Sequence, residues 1–307
     1  MRFEYDLTIV GGSVLDIFLN IGKFPVRKGA TVMSPTMLVQ PGGASALAMI
    51  ASRLGLKVAV VDRIGNDPNG SMLIGQMRRA GVEIRHMIRE VGSQTAVSIN
   101  LVDSAGQHSF VGYLANEGGL ETGDVDEATI MASRSIFFEG YNLTVKGKTY
   151  EAIMKAARVA SLNSIHIYFD PGPLIGKIAS INEFIGLSRT LFLNTEEARS
   201  LARLSKVRGS HHRAPTAFLK GKGQREVVIK RGARGASLVS SGSVRYFPPF
   251  KIAGAENTIG AGDAFDAAFI AGKLNGLSSD RACELGNRIA AIRISSGISA
   301  IPRWRDL

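Results

Sequence analysis

The sequence predicts an α/β fold in which a mainly parallel sheet is covered by helices on both faces and carries a small β lid. Three observations lead there. Short apolar runs alternate with helical patterns along most of the chain. Two stretches break that alternation. The 307 residues contain no fixed-period repeat and no low-complexity segment. One large domain spanning 1–307 with a lid therefore fits better than two equal domains, and a chain of this size hides roughly 75% of its unfolded surface without covalent staples.

The apolar runs at 7–10, 58–61, 136–138, 165–169, 191–193 and 227–229 read as strands. They are rich in branched residues and apolar on both sides, as a sheet buried on both faces requires. Helical patterns lie between many of them at 44–54, 72–80, 150–160 and 196–204, and two more helices, 262–274 and 279–296, close the chain. Such alternation argues for parallel pairing. Residues near 15–40 lack a helix and carry Pro25, Gly29 and Pro35. Segments 94–102 and 108–113 alternate apolar with polar residues around a turn at 103–107, which reads as a hairpin with one wet face. Both excursions, near 15–40 and 94–113, are assigned to the lid. A second hairpin, 235–239 with 244–247, turns at 240–243.

Composition limits the function classes. Hydrophobic residues make up 45% and charged residues 21%, which excludes a disordered or collagen-like chain. The single cysteine, Cys283, excludes an intrachain disulfide and a cysteine-rich metal site. No run reaches the roughly 20 apolar residues of a membrane span, and the N-terminus is polar, so the expectation is a soluble protein of a reducing cytosol. Lys plus Arg total 37 against 26 Asp plus Glu, a net charge of +11. That excess admits nucleic acid, a membrane surface or a small anion as partner. The basic residues are scattered, with short clusters at 206–213 and 220–234. No groove-reading helix, aromatic platform or basic arm accompanies them, so neither nucleic acid nor membrane is the expected partner.

The most informative segment is Asn257-Thr258-Ile259-Gly260-Ala261-Gly262-Asp263-Ala264-Phe265, a loop that opens a helix with a small buried face. Gly260, Ala261 and Gly262 leave backbone N–H groups uncovered at the positive end of a helix, where an anion binds. Asp263 would repel a merely bound anion. It makes sense as a base that takes a proton from an attacking hydroxyl while the N–H groups hold the charge on a phosphoryl group. It makes equal sense as an acidic residue favouring the helix dipole. Gly42 and Gly43 open another helix and permit close backbone approach to a ligand, or a tight strand–helix turn. Asn194-Thr195-Glu196-Glu197 follows a strand, where a carboxylate can organise Mg²⁺ through water or simply cap the helix. Lys230-Arg231-Gly232-Ala233-Arg234-Gly235 adds a cationic glycine turn at the same sheet edge. Three features are read as decoys. Gly147-Lys148-Thr149 lacks the earlier glycine of a P-loop, His211 and His212 have no ligand companions, and Cys283 sits inside a helical pattern.

Together and in this order, these motifs resemble the ribokinase-like carbohydrate kinases, the PfkB family, over nearly the whole chain. Gly42-Gly43, Leu54-Gly55 and Arg63-Ile64-Gly65-Asn66-Asp67-Pro68-Asn69-Gly70 look like the family's first signature; 257–265 looks like its second, and Asn194 with Glu197 matches its Asn-x-x-Glu element. The resemblance implies a three-layer α/β/α ribokinase-like fold with a small β lid. It implies ATP as donor, Mg²⁺ as companion ion and phosphoryl transfer to a substrate hydroxyl. Asp263 matches the catalytic base and Gly260, Ala261 and Gly262 the anion hole. Asp16, Gly42 and Gly43 match the substrate side. Gly232 and Gly235 match the nucleotide loop, with Asn194 and Lys230 beside it, Asn287 the adenine pocket, and Glu197 a water-mediated metal contact.

Three positions depart from the family pattern. Leu47 stands where Asn is usual, which removes a hydroxyl contact. Asn257 stands where Asp is usual, near the family's occasional monovalent-cation site. Leu174 follows Asp170-Pro171-Gly172-Pro173 where many sugar kinases carry Arg, which disfavours a phosphorylated or acidic sugar at that point. Residues 115–117 and 138–144 are similar to the adenosine-kinase-like branch, so the expected acceptor is a small sugar, free or as the ribose of a nucleoside. Specificity is expected from Asp16, Asn100, Phe110 and Glu139, although Glu139 reads equally as a partner for a loop N–H. A non-catalytic binding module of the same fold is the competing reading. The family also suggests a homodimer through the lid, and the net charge then reads as a solvated surface with a field favouring anionic ATP.

Overall fold

The computed structural model describes residues 3–114, 119–204, 225–240, 242–251 and 258–307. The expected segments Ala115-Asn116-Glu117, His211 and His212, and Asn257 lie outside them.

The chain enters through β1 (Leu7–Val10) and then leaves the main sheet for β2 (Ser13–Asn20) and β3 (Met37–Gly42). It returns through α1 (Gly43–Arg53), β4 (Val58–Gly65), α2 (Pro68–Arg79) and β5 (Met87–Glu90). The hairpin β6 (Val97–Val102) and β7 (His108–Tyr113) follows. A regular succession then runs α3 (Glu127–Met131), β8 (Ser135–Glu139), α4 (Lys148–Leu162), β9 (His166–Asp170), α5 (Ile181–Leu187), β10 (Thr190–Asn194) and α6 (Thr195–Leu204). It ends with β11 (Glu226–Lys230), β12 (Ala236–Ser240), β13 (Ser243–Phe247), α7 (Ala261–Leu274) and α8 (Ser279–Ser296).

Two sheets form among the described residues. The larger has nine strands in the order β13-β12-β11-β10-β9-β8-β1-β4-β5, and the smaller has four in the order β3-β2-β6-β7. From β5 to β11 every neighbouring pair is parallel, and only β12 and β13 run antiparallel at the edge. Alternation along the parallel strands builds two cores. Leu7, Ile9, Phe137, Tyr168, Phe192 and Val228 face α1, α7 and α8. Their neighbours Val10, Ile136, Phe138, Phe169, Leu191 and Ile229 face α4, α5 and α6. Each fully buried Leu, Ile or Phe contributes about 1.5–3 kcal/mol, so the strand runs dictate the layering.

The topology positions the site. The chain moves outward from β1 to β4 and β5, then crosses back to β8 on the other side of β1. Ligands bind outside the carboxyl ends of strands at such a reversal. Four strands in succession end there on a polar side chain: Glu139 on β8, Asp170 on β9, Asn194 on β10 and Lys230 on β11.

Three local expectations need correction. β7 is exposed at all six positions, not on one face alone, because no described residue covers either face of this edge strand. β5 is Met-Ile-Arg-Glu, half of it charged, so it has no apolar run to announce it. The short helices α3 and α5 were likewise not foreseen, being too brief to show a periodic face.

The first signature does structural work here. Asp67 caps α2 by accepting from Gly70 N at 2.7 Å, with Pro68 in the first turn. The same carboxylate accepts from Thr95 N at 3.1 Å and Thr95 Oγ1 at 2.6 Å. Gly65 lets the 93–95 backbone pass, since a Cβ there would lie 2.6 Å from Gln94 C. The residues leading into β6 are thereby tied to the main body. Burial raises the Asp67 carboxyl, but the bonds from Thr95 and Gly70 outweigh it and hold the pKa below its ordinary value. The stabilisation is therefore complete at neutral pH and is lost as pH falls through the folded pKa. Replacing Asp67 with Ala is expected to cost about 1–2 kcal/mol, read as a lower urea midpoint at pH 7, with the difference from wild type shrinking at acid pH.

Candidate active site

The site is built around the start of α7. Gly260 caps this helix with φ +79°, a left-handed conformation that glycine adopts without strain. No side chain caps the helix. Ala261 N donates to Thr258 O at 3.2 Å, while the N–H groups of Gly262 and Asp263 fall in the first turn, where no intrahelical acceptor exists. Gly262 of the expected anion hole, with Asp263 next to it, therefore presents an N–H without an acceptor among the described residues, and Gly260 supplies the turn.

Beneath this turn lies a buried ionic cluster. Lys230 Nζ donates to Asp170 Oδ2 at 2.6 Å and to Asp266 Oδ2 at 2.8 Å. The three side chains keep 13%, 14% and 1% of their exposure. Burial pushes Asp170 up, but Lys230 overrides it and holds the carboxylate ionised, below its usual range. Burial pushes the Asp266 carboxyl well above its ordinary value, against the pull of Lys230. A Cβ at Gly262 would lie 3.4 Å from Lys230 Nζ, so the ammonium presses on the turn itself. Lys230 also sits 5.8 Å from the centre of the Phe192 ring.

Asp263 projects from the first turn. Burial is the main influence on its carboxyl and raises it to about 6, with Asp170 adding to the rise and Lys230 and Arg293 pulling it down. A carboxylate poised there is ionised at neutral pH and accepts a proton more readily than an ordinary aspartate. Burial raises Asp16 to about 7, with the Asn100 side chain pulling it down and the charge of Asp263 adding to the rise. Gly42 is required for this placement, because a Cβ there would lie 2.2 Å from the Asp16 carboxyl.

The remaining expected residues sort differently. Glu139 packs beside the start of α1: a Cβ at Gly12 or Gly43 would lie 2.8 or 2.9 Å from its Oε1, and the Ala44 N–H pulls its proton affinity down. Burial raises it well above the ordinary value. Phe110 pairs with Asn100 across β6 and β7 and so shares its face, yet it is 53% exposed. Asn194 and Glu197 form a reciprocal cap on α6. Asn194 Oδ1 accepts from Glu196 N at 2.8 Å and Glu197 N at 2.9 Å, and Glu197 Oε2 accepts from Asn194 N at 2.6 Å. Burial raises Glu197 to about 7. Asn287 donates to Phe247 O at 3.3 Å and Pro248 O at 2.8 Å, which fixes the loop after β13. Gly235 lets that loop pass, a Cβ there lying 2.1 Å from Phe247 O, whereas Gly232 faces open space. Leu47 is 1% exposed and belongs to the core.

No cluster of three or more metal-ligating side chains occurs among the described residues. The donors present fit Mg²⁺ held chiefly by phosphates and water, with one carboxylate at a remove, which is how that ion commonly binds.

Sequence reasoning missed Asp170, Asp266 and Arg293. Each had a signal: a charge inside an apolar stretch. Asp266 interrupts Ala264, Phe265, Ala267 and Ala268 on a buried helix, and Arg293 interrupts Ala290, Ala291, Ile292 and Ile294.

A family model described as "pfkB family carbohydrate kinase" matches residues 6–304. An ATP-dependent ribose-1-phosphate kinase of Halopiger xanaduensis is 29% identical over 283 residues, covering 90% of this chain and 88% of the relative. Two solved structures share the fold. The adenosine kinase of Sinorhizobium meliloti has a TM-score of 0.82 at 23% identity, covering 95% of this chain and 94% of its own. A protein described as ribokinase II of E. coli, in complex with ATP and Mg²⁺, has a TM-score of 0.83 at 22% identity, covering 98% and 97%.

Replacing Lys230 with Met leaves Asp170 ionised and buried without its cation. The expected loss is about 3–5 kcal/mol of stability, read by urea denaturation at pH 7. A change below about 1 kcal/mol, the scale of an exposed pair, would show that the cluster does not hold the site together.

Proposed function

The chain belongs to the pfkB family of carbohydrate kinases, and from that premise we propose that it moves the γ-phosphoryl group of ATP to a primary hydroxyl of a small sugar, free or carried in a nucleoside. The observation that carries this reading is Asp263 in the first turn of a helix that begins at Gly260 without a side-chain cap, its carboxyl raised by burial to about 6 and within electrostatic reach of Asp16.

The step balances as follows. Asp263 takes the proton of the acceptor hydroxyl. That oxygen forms a bond to the γ-phosphorus, the bond from phosphorus to the β–γ bridging oxygen breaks, and ADP leaves with its electron pair. Phosphoryl transfer asks mainly for positioning and charge stabilisation. The N–H groups of Gly262 and Asp263 receive phosphoryl oxygens. Asp16, with Asn100 behind it, orients acceptor hydroxyls. Asn194, Lys230, Gly232, Gly235 and Asn287 form or support the nucleotide side, and Glu197 would meet Mg²⁺ through water. Bound Mg²⁺ would neutralise phosphate charge.

The sugar-phosphate substrate named for the Halopiger relative and the nucleoside named for the Sinorhizobium structure support an acceptor of the sugar and nucleoside class. A binding module without turnover has less support, because a pure binder gains nothing from a base raised toward neutrality. Closure of the small sheet would bring Phe110 over the acceptor and exclude water.

A panel of pentoses, hexoses, sugar acids, sugar phosphates and nucleosides, scored by ADP release, identifies the acceptor. With that acceptor, Asp263→Asn should lower kcat roughly 10²–10⁴-fold while ATP still binds. Wild-type kcat should rise with pH through about 6, because Asp263 must be ionised to accept the proton. Retention of most activity by the variant would remove Asp263 from the role of base. Amide exchange in 94–113 should slow when acceptor binds, and unchanged exchange there would argue against closure.

A further inference from the structure

Arg293 is a buried cation with no ion-pair partner among the described residues. It lies near the end of α8, keeps 9% of its exposure, and its Nε has no hydrogen-bond partner. Lys230, the other buried cation of the site, has two carboxylates within 2.8 Å. Among the described residues no carboxylate lies within 4.0 Å of Arg293. Burying an unpaired charge costs several kcal/mol, so a protein that keeps one gains something from it elsewhere.

Its position indicates what. A Cβ at Gly260 would lie 3.2 Å from Arg293 Nη2, 3.4 Å from Nε and 3.5 Å from Cζ. These distances place the Nε–Nη2 side of the guanidinium against the residue that caps α7. Lys230 approaches the same turn at Gly262. The anion-binding turn is thus flanked by two cations, one neutralised by carboxylates and one not. The charge of Arg293 also reaches Asp263 and Asp16, the two carboxylates that bracket the acceptor. Burial dominates both of their shifts, and Arg293 pulls each of them down.

We propose that Arg293 is a built-in positive charge for the transferring phosphoryl group, held unpaired behind the α7 N-terminus so that its counter-ion is the phosphoryl itself. The inference rests on the kinase reading above. The acceptor hydroxyls beside Asp16 are neutral and have no use for such a charge. The phosphoryl group seated on the N–H groups of Gly262 and Asp263 is anionic throughout transfer. A fixed cation in a site closed to water acts on it without reorganisation. Arg293 makes and breaks no covalent bond in the step. A second effect follows, since the same charge keeps the proton affinity of Asp263 from climbing further.

The test uses the full chain with Arg293→Met, Arg293→Ala and Arg293→Lys, each checked by thermal melting against wild type. With the acceptor found on the panel, Arg293→Met should lower kcat about 10²–10³-fold, the usual loss for a group that stabilises the charge of the transition state. The KM values for ATP and acceptor should stay within about threefold, and the acid limb of the pH–kcat profile should move up. Arg293→Lys should retain an intermediate rate, and added guanidinium ion should partly rescue Arg293→Ala. A turnover-free readout accompanies these: ADP with Mg²⁺ and aluminium fluoride should raise the wild-type melting temperature beyond ADP with Mg²⁺ alone, and Arg293→Met should lose that extra rise while keeping the ADP shift. An unchanged kcat, a loss confined to acceptor KM, or an undiminished aluminium fluoride shift would overturn the proposal. Should wild type turn over no acceptor, the kinase reading fails, and the aluminium fluoride comparison still judges Arg293.

Discussion

The arrangement of the site depends on one interaction: the ammonium of Lys230 held between Asp170 and Asp266. It joins three separate pieces of chain, the ends of β9 and β11 and the second turn of α7. A helix packed on a sheet by apolar contacts alone can slide by fractions of an ångström at little cost. A buried cation with two short bonds cannot, because any displacement leaves a charge without its partner. The start of α7 is thereby fixed against the carboxyl edge of the sheet, and the free N–H groups of Gly262 and Asp263 are fixed with it. The same ammonium helps set the protonation of the neighbours, keeping Asp170 ionised and restraining the rise of Asp263.

The layered fold was legible in the sequence because its cause is local. Runs such as 7–10 and 191–193 are apolar on both sides and have one stable place, inside a sheet covered twice. β5 was not legible, since its register beside β4 comes from the neighbouring strand and not from its own residues. The site divides in the same way. Asp263 and the glycine turn announce themselves through spacing within one segment. Asp170, Asp266 and Arg293 acquire meaning only when separate elements meet. Glu139 and the Asn194–Glu197 pair illustrate the converse: residues chosen for chemistry turn out to hold helix ends, and the fold needs them there whatever the substrate.

The net positive charge also takes a more specific form. Most of it is spread over exposed lysines and arginines, where its effect on stability is small. Two cations matter far more because they are buried beside the anion-binding turn, Lys230 under Gly262 and Arg293 against Gly260. Around them gather carboxylates whose proton affinities are raised by burial, Asp16, Glu139, Glu197 and Asp263. That combination favours a reaction in which a neutral hydroxyl loses a proton as an anionic group arrives. The four-stranded sheet contributes Asp16 and Asn100 from β2 and β6, and its anchorage through Asp67 and Thr95 leaves β7 free of the main body.

The most direct measurement of the central claim is a crystal structure of the complex with a non-hydrolysable ATP analogue, Mg²⁺ and the acceptor found by assay. The account predicts γ-phosphoryl oxygens on the N–H groups of Gly262 and Asp263. It also predicts an acceptor oxygen within hydrogen-bond reach of Asp263 and roughly 3–3.5 Å from the γ-phosphorus. A γ-phosphoryl group bound away from the start of α7, or an acceptor hydroxyl held out of reach of Asp263, would contradict it.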